Sequence, residues 1–116
     1  MQIKIKFWIE KNNKNIFGKG KSLILKAIEE TGSLNKASKK LDISYRRLWS
    51  YITYAEKRLG KPLIQKVKGG KDGGGTTLTD YGKELLNKFN VIEKEINIFT
   101  EKAFKNVFSY DLEQKI

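Results

Sequence analysis

Two adjacent arginines follow a serine that is suited to cap a helix near the middle of the chain. Ser44 favours the position before the first helical residue, because its hydroxyl accepts a hydrogen bond from a free first-turn amide. Arg46 and Arg47 would then lie in the first helical turn. Guanidinium groups form paired hydrogen bonds with phosphate oxygens and with the major-groove edge of guanine. These residues therefore suggest a helix whose first turn contacts double-stranded DNA.

The residues after Ser44 follow a helical period. Apolar side chains recur every three or four positions and would share one face: Tyr45, Leu48, Ile52, Ala55 and Leu59. Polar side chains occupy the opposite face and its flank: Arg46, Arg47, Ser50, Thr53, Tyr54 and Lys57. An ordinary amphipathic helix with a solvated basic face has the same pattern. The neighbouring segments are therefore needed to distinguish a DNA-contacting helix from an ordinary surface helix.

The positive charge of the chain is concentrated in its N-terminal part. The 116 residues include 24 lysines and arginines against 13 acidic residues, a formal net charge of +11. Residues 1–78 hold 18 of the basic and 6 of the acidic side chains, whereas residues 79–116 are near neutral. This distribution favours a polyanion-binding body followed by an element with another role.

Residue types that many catalytic and metal sites need are missing. The sequence has no cysteine and no histidine, which excludes zinc sites built from those residues and catalysis that depends on them. The carboxylates are scattered, without a visible pair of nucleophile and base. We therefore predict a non-enzymatic protein with no cofactor and no metal site.

No segment of the sequence resembles a membrane span or a signal peptide. No apolar run approaches the roughly 20 residues of a transmembrane helix. The start, MQIKIKFWIE, alternates between apolar and polar residues instead of forming an apolar block. We expect a soluble cytoplasmic protein without a membrane partner.

The N-terminal residues predict a strand that continues into a hairpin. Apolar residues occupy every second position within residues 2–10, a period that is typical of a half-buried strand: Ile3, Ile5, Phe7 and Ile9. Residues 11–15 are predicted to turn, because asparagine tolerates left-handed backbone angles. Residues 16–18 would return as the second strand.

Two further helices are predicted before Ser44. Residues 21–31 carry an apolar stripe that stops at Gly32: Leu23, Ile24, Ala27 and Ile28. Ser33 can cap a second helix, and residues 42–43 connect it to Ser44. A helix, a brief turn and a helix with a basic outer face form a helix-turn-helix motif. The start of the second helix is predicted to contact the DNA backbone through Ser33, Asn35 and Lys36.

A glycine-rich loop between two β-prone segments follows the Ser44 helix, which is predicted to end at Gly60. Residues 63–68 and 76–78 favour strands, and residues 69–75 contain five glycines, one lysine and one aspartate. A hairpin at this position would be the wing of a winged helix, whose lysines are predicted to contact phosphates: Lys66, Lys68 and Lys71. A nucleotide-binding P-loop is the competing interpretation, but its obligatory lysine would fall on Gly75.

A long amphipathic helix capped by Thr79 is predicted for the C-terminal part. Its apolar residues follow a heptad spacing: Leu85, Phe89, Ile92, Ile96, Phe99 and Ala103. We predict a DNA-binding domain at residues 1–78 and a dimerisation helix at residues 79–116, with Leu85, Phe89, Ile92, Ile96 and Phe99 in the interface. Packing of this helix on its own domain is the alternative.

Taken together, these motifs resemble a known family. The segment I-S-Y-R-R-L-W, the wing sequence G-G-K-D-G-G-G and the later L-T-x-Y-G-x-x-L-L are similar to the N-terminal domain of molybdenum-responsive (ModE-type) transcription regulators. The resemblance covers residues 2–108 and implies a winged helix-turn-helix related to the LysR-type DNA-binding domain. Full-length members carry molybdate-binding domains after this one, and the sequence stops at Ile116, so ligand sensing is not implied.

The resemblance also assigns residues to the recognition helix and to the wing. The recognition-helix motif matches Ser44, Tyr45, Arg46 and Trp49, which adds Ser44 and Tyr45 to the candidate DNA contacts. The wing motif matches Gly69, Gly70, Lys71, Gly73, Gly74 and Gly75. The chemistry of Tyr45 and Trp49 favours packing in the core or against the turn over base reading.

The predicted fold is mainly α with a small β component. It is a winged helix-turn-helix with an N-terminal strand or hairpin and a long C-terminal dimerisation helix. The predicted function is a transcription regulator that binds double-stranded DNA sequence-specifically as a homodimer and lacks the molybdate-sensing domain. Whether a separate effector-sensing protein binds it is left open. The alternatives are an architectural protein that coats DNA without sequence preference and a module that binds an acidic protein.

Overall fold

The computed structural model of the protein describes residues 1–68 and 75–113. In chain order the elements are β1 (Trp8–Lys11), β2 (Lys14–Gly18), α1 (Lys19–Thr31), α2 (Leu34–Lys40), α3 (Tyr45–Leu59), β3 (Ile64–Val67), β4 (Gly75–Leu78), α4 (Asp80–Val107) and α5 (Ser109–Glu113). Strands β1 and β2 form one antiparallel hairpin, and β3 and β4 form another. The predicted class, mainly α with a wing and a long C-terminal helix, is confirmed.

The first hairpin has a shorter first strand and a longer second strand than the sequence predicted. Its turn is made by Asn12 and Asn13, which both adopt left-handed angles, with φ of 52° and 62°, as expected for asparagine. Strand β1 begins only at Trp8, whereas the predicted strand covered residues 2–10. The difference arises because β2 is five residues long and pairs Trp8 with its last residue, Gly18. Earlier residues extend past the end of that ladder.

Local capping chemistry defines the ends of α1 and α2. Helix α1 ends at Gly32, which has a left-handed φ of 68° and donates its amide to the carbonyl oxygen of Ile28 at 2.7 Å. Helix α2 begins after Ser33, whose Oγ accepts a hydrogen bond from the Lys36 amide at 3.1 Å. Both predicted boundaries are confirmed.

One apolar core joins the first hairpin, helices α1–α3, the base of the wing and the start of α4. Phe17 and Phe89 meet edge to face in it with ring centroids 5.2 Å apart, and Phe7 stacks on Phe89 at 5.1 Å. Among the residues whose burial the structure describes, the buried apolar ones are Ile16, Phe17, Ile24, Leu25, Ala27, Ile28, Leu34, Ala37, Leu48, Ile52, Ala55, Leu63, Leu78, Leu86 and Phe89.

The apolar stripe of α1 is rotated relative to its prediction. Leu23 was placed in that stripe but is 40% exposed, whereas Leu25 is almost completely buried. Helical spacing alone allowed either residue to flank Ile24 and Ile28. Leu25 takes the inner position because the buried face of α1 is centred on Ile24, Leu25 and Ile28.

Helix α4 contributes to the core only through its first turns. Gly82, Leu86 and Phe89 are buried there, and a side chain at position 82 would overlap the carbonyl oxygen of Leu63. The remainder of α4 extends away, so that the molecule measures 59 × 33 × 23 Å along its principal axes. The predicted division after residue 78 therefore falls between two elements, whereas the packed core continues to Phe89.

Within residues 1–68 and 75–113, none of the helices combines the length and the apolar character needed to cross a bilayer. The same described ranges contain no cluster of three or more carboxylates placed to hold a metal ion.

Candidate nucleic-acid interface

Helix α3 is fixed by its caps and by one buried face. The Oγ of Ser44 accepts a hydrogen bond from the Arg47 amide at 3.1 Å, and the helix closes at Gly60 with a left-handed φ of 77°. The Nζ of Lys11, in the first hairpin, donates to the carbonyl oxygen of Arg58 in the last turn at 3.3 Å. The face that enters the core carries Leu48, Ile52 and Ala55. The opposite face therefore points toward solvent.

That outer face contains three of the candidate DNA contacts, Arg46, Ser50 and Thr53, together with Lys57. Arg46, Ser50 and Lys57 are exposed on it, and Thr53 is half-buried. The Thr53 hydroxyl donates to the carbonyl oxygen of Trp49 at 3.0 Å, so it is engaged by its own helix. The structure thus brings together a guanidinium, a hydroxyl and an ammonium along one exposed side of α3.

Cations and aromatic rings alternate along the flank of α3 that faces α1. The Nε of Arg47 donates to the hydroxyl of Tyr51 at 2.9 Å, and its guanidinium carbon lies 5.8 Å from the centre of that ring. The ring of Tyr54 lies 5.4 Å from the Nζ of Lys21 in α1 and 5.1 Å from the guanidinium carbon of Arg58. Such contacts hold cations in place. Arg47 and Tyr54 occupy the predicted flank, but sequence analysis missed their partners.

The recurrence of these residues could have revealed the flank. Arg47, Tyr51, Tyr54 and Arg58 follow spacings of four, three and four, which place side chains on one helical stripe. The contribution of Lys21 had no comparable local signal, because it comes from another helix.

Tyr45 and Trp49 correct a sequence prediction. Both were expected to pack in the core or against the turn, but Tyr45 is 50% exposed and Trp49 is 44% exposed. Helical spacing gives the side of the helix that a residue occupies, but not how far the neighbouring elements reach. Leu48 and Ile52 already fill the contact with the core, so the two aromatic rings stay outside, beside the outer face.

The start of α2 contains the three residues predicted to hold the DNA backbone. The hydroxyl of Ser33 is occupied by the helix cap, and Ser33 is half-buried. Asn35 and Lys36 are exposed. Further along α2, Lys40 forms an ion pair with Glu30, and this ammonium lowers the pKa of the Glu30 carboxyl.

The wing is attached to α3 and to the turn before α2 by hydrogen bonds. A carboxylate oxygen of Glu56 in α3 accepts from the amide of Leu63 at 2.7 Å, and the hydroxyl of Thr79 donates to the carbonyl oxygen of Pro62 at 2.8 Å. The amide of Thr76 donates to the carbonyl oxygen of Gly32 at 2.9 Å. Sequence analysis did not identify this role of Glu56.

The exposed lysines of strand β3 and of the residue after it lie on this anchored wing. Lys66 and Lys68 are exposed. Lys71 and the glycines at positions 69, 70, 73 and 74 lie outside the described residues, whereas Gly75 is the first residue of β4. A Cβ at Gly75 would lie 2.6 Å from the carbonyl oxygen of Gly32, so this glycine permits a close approach of two backbones.

The charge of the helix-turn-helix and the first wing strand is strongly asymmetric. Residues 33–68 contain ten basic side chains and two acidic ones, Asp42 and Glu56. Glu56 is half-buried and occupied by the base of the wing. This surface therefore carries a field that attracts polyanions.

The predicted dimerisation residues do not share one environment. Phe89 is only 1% exposed and lies in the core of its own chain, and Leu85 is half-buried against that core. This corrects the assignment of Phe89 to an interface. Ile92 is exposed, Ile96 is half-buried and Phe99 is 75% exposed.

Solved structures share this arrangement of elements. The CbnR DNA-binding domain in complex with DNA superposes with a TM-score of 0.59 at 19% identity, over 76% of this chain and 95% of that one. The BenM DNA-binding domain in complex with benA site 1 DNA gives a TM-score of 0.57 at 19% identity, over 76% and 93% of the two chains. The fold is thus a winged helix-turn-helix of the type found in DNA-binding domains.

A family model identifies the lineage of the sequence. The model described as "Bacterial regulatory helix-turn-helix protein, lysR family" matches residues 23–83, more than half of the chain. The protein belongs to this family.

Curated relatives match well over half of the chain. The molybdenum transport protein ModE of Azotobacter vinelandii is 40% identical over 72 residues, which are 62% of this chain and 27% of that protein. The DNA-binding transcriptional dual regulator ModE of Escherichia coli is 32% identical over 81 residues, or 70% and 29% of the two chains. The chain therefore spans less than a third of the length of these relatives, and the predicted resemblance to ModE-type regulators is confirmed.

Proposed function

We propose that the protein binds double-stranded DNA in a sequence-specific manner and regulates transcription as a homodimer. The observation that carries this proposal is the outer face of α3, where Arg46, Ser50 and Lys57 are exposed together while the opposite face is locked in the core. Membership of a regulatory helix-turn-helix family supports it. We further propose that it acts in the cytoplasm and without catalysis.

In this proposal, α3 lies in the major groove and its neighbours hold the backbone. The major groove, about 12 Å wide, admits an α-helix and displays a distinct pattern of donors and acceptors for each base pair. Arg46 reads a base edge, while Arg47 and Tyr54 contact a phosphate from the flank. Backbone contacts at the start of α2 come from Ser33, Asn35 and Lys36. Those of the wing come from Lys66, Lys68 and Lys71.

The exposed aromatic residues of α3 add apolar recognition. Tyr45 and Trp49 lie beside Arg46 in the first two turns, the end of a recognition helix that commonly approaches the bases. The thymine methyl group is the apolar feature of the major groove. We assign Trp49 to contact with such a methyl group.

Dimerisation is proposed to use the distal part of α4. Ile92, Ile96 and Phe99 follow a heptad spacing after the helix leaves the core. A twofold pair of such helices would present two α3 helices to successive turns of DNA, about 34 Å apart.

Selection from a random-sequence duplex library tests the proposed function. We expect the bound pool to converge on an inverted repeat whose half-sites are separated by about one helical turn or a multiple of it. The excess of basic side chains in residues 33–68 favours one other function, an architectural protein that coats any DNA. A bound pool that stays random would establish that alternative.

A further inference from the structure

A groove lies beside α3 and is lined in part by Tyr51 of that helix. It has a volume of about 510 Å³ and opens between the N-terminal segment, α1 and the turn that precedes α3. Ligand sites commonly have volumes of roughly 300–1,000 Å³, with mostly apolar walls and a few polar groups. We call it the α1 groove and define it by Phe7, Trp8, Leu23, Leu41, Ile43 and Tyr51.

The walls of the α1 groove expose apolar surface that the core does not use. Leu23 is 40% exposed, against its predicted burial, and Trp8 and Tyr51 are exposed as well. These side chains come from α1, β1 and α3, elements that the fold brings together around one opening. Flat aromatic walls of this kind suit a flat apolar molecule.

The positive charge around the α1 groove favours a ligand that carries a negative charge. Lys6, Lys19 and Lys21 line it, and none of the described residues that line it is acidic. Lys19 is also paired with Glu93 of α4 at 3.0 Å, and Lys21 contacts the ring of Tyr54. Apolar walls with a lysine rim complement an organic anion rather than a neutral or cationic molecule.

One residue connects the α1 groove to the DNA-contact surface. Tyr51 lines the groove, and its hydroxyl accepts the hydrogen bond from Nε of Arg47 at 2.9 Å. An anionic ligand group that accepts the Tyr51 hydroxyl proton also attracts the Arg47 guanidinium bonded to that hydroxyl, and so competes with a DNA phosphate for this cation. A bound anion also adds negative charge next to the proposed phosphate contacts. Both effects weaken DNA binding.

We propose that the α1 groove binds a small amphipathic organic anion, with a flat apolar body and one carboxylate or sulfonate, and that this ligand weakens DNA binding through Tyr51 and Arg47. The first part, ligand binding, concerns the protein without DNA. The second part rests on the proposed function. The two parts are therefore tested separately.

The first experiment titrates the DNA-free protein with 2-naphthoate and with its uncharged analogue 2-naphthamide, followed by amide NMR shifts. We expect shifts at Trp8, Leu23 and Tyr51, and affinity for the naphthoate about tenfold higher than for the amide, because a charge-assisted contact is lost in the latter. Equal affinity for the two probes, or shifts confined to α4, would overturn ligand binding in the α1 groove.

Matched variants localise the site. Leu23→Glu places a carboxylate in the α1 groove and should abolish naphthoate binding, whereas Val91→Glu makes the same change on exposed α4 surface and should leave it intact. Lys6→Gln should weaken binding severalfold. Lys4→Gln, at a second cavity beside Glu101 and Phe104, should not. Circular dichroism checks that each variant is folded. If Leu23→Glu and Val91→Glu, or Lys6→Gln and Lys4→Gln, reduced naphthoate affinity equally, the assignment of the ligand to the α1 groove would be wrong.

The second experiment measures affinity for a selected duplex with and without saturating 2-naphthoate. We expect the ligand to weaken DNA binding about fivefold or more in the wild-type protein, and DNA to weaken ligand binding by the same factor. Tyr51→Phe keeps the ring but removes the hydroxyl, so it should weaken naphthoate binding severalfold and, at saturating naphthoate, reduce this coupling. Naphthoate binding without any effect on DNA affinity would refute the coupling, while a protein that never selects a DNA sequence would refute the proposed function instead.

Discussion

Helix α3 and the distal part of α4 both leave a face exposed, but the chemistry of the two faces is opposite. The face of α3 presents Arg46 and Lys57, whereas that of α4 presents Ile92 and Phe99. A basic face remains well solvated and attracts polyanions over a distance. An apolar face is unfavourable in water by about 25 cal/mol for each Å² and gains by being covered. This contrast supports the proposal that DNA is the partner of the first face and that a second copy of the chain is the partner of the other.

Helix α4 provides a second comparison within one element. Its heptad pattern runs without interruption from Leu85 to Ala103, yet Phe89 lies in the core and Phe99 is largely exposed. The same periodicity thus serves intramolecular packing in one half and leaves Ile92 and Phe99 exposed in the other. An apolar stripe predicts that a face will be buried, but not against what.

The largest effect is expected from charges in the exposed heptad face. Ile92→Glu combined with Phe99→Glu would bury two unpaired carboxylates in the proposed dimer, at a cost of several kcal/mol each. We expect a folded monomer, with the mass measured by light scattering and the fold checked by circular dichroism. Binding to a two-half-site duplex should fall accordingly.

The control for this dimerisation test lies on the same helix. Val91→Glu with Ile98→Glu also introduces two charges at exposed apolar positions, but on another side of α4. This variant should remain dimeric. A wild-type protein that is monomeric at micromolar concentration would contradict the proposed dimer. Equal masses of the two double mutants would contradict the assignment of the interface to the face with Ile92 and Phe99.

Arg46→Ala is expected to have the next largest effect. Removing its guanidinium from the outer face of α3 should weaken binding to a selected site by about 1–3 kcal/mol and relax preference at one or two base positions. Fluorescence anisotropy with a panel of single-base variants measures both quantities. Arg58→Ala, whose guanidinium contacts Tyr54 on the flank, should leave the base preference unchanged. Unaltered binding of Arg46→Ala to every duplex would contradict the position of α3 on DNA.

Trp49→Ala tests whether the exposed aromatic residue reads thymine. Replacing thymine by uracil in a selected site removes one methyl group for each base and should weaken wild-type binding by roughly 0.8 kcal/mol at the contacted position. The Trp49→Ala protein should bind both duplexes equally. Tyr110 is an exposed aromatic residue of α5, and the Tyr110→Ala protein should still bind the thymine duplex more tightly than the uracil duplex. Equal binding of the two duplexes by Tyr110→Ala would argue against a specific role of Trp49.

The smallest expected effect concerns the wing lysines. Lys66→Ala should weaken selected and random duplexes about equally and reduce the slope of log affinity against log salt by roughly 0.9, the value for one phosphate contact. The same holds for Lys71→Ala. Lys105→Ala removes a charge from the distal part of α4 and should not change the slope. A normal slope in the folded Lys66→Ala protein would show that β3 stays off the DNA.

The sequence predicted features of the fold that depend on local chemistry. Ser33 and Ser44 cap helices, Gly32 and Gly60 end them, and Asn12 forms a left-handed turn with its neighbour. Each of these outcomes depends on the residue itself and on the few residues beside it. The helix-turn-helix and the wing could therefore be assigned before any tertiary contact was known.

Features that depend on distant neighbours could not be predicted in this way. The burial of Phe89 requires Phe7 and Phe17 from the other end of the chain. The exposure of Trp49 depends on where the elements packed against α3 end, which helical spacing within α3 does not indicate. For the candidate site, the sequence predicted the outer face and its charge, but not the link from Arg47 through Tyr51 to the α1 groove.

The most direct test of the central claim, sequence-specific recognition of DNA by the outer face of α3, compares two duplexes of equal length and composition. One carries the site recovered by selection and the other carries the same bases in shuffled order, and both are titrated at 150 mM salt. We expect the wild-type protein to bind the selected duplex at least about 10³-fold more tightly. A ratio near one would contradict sequence-specific recognition and leave only a basic surface that binds any DNA.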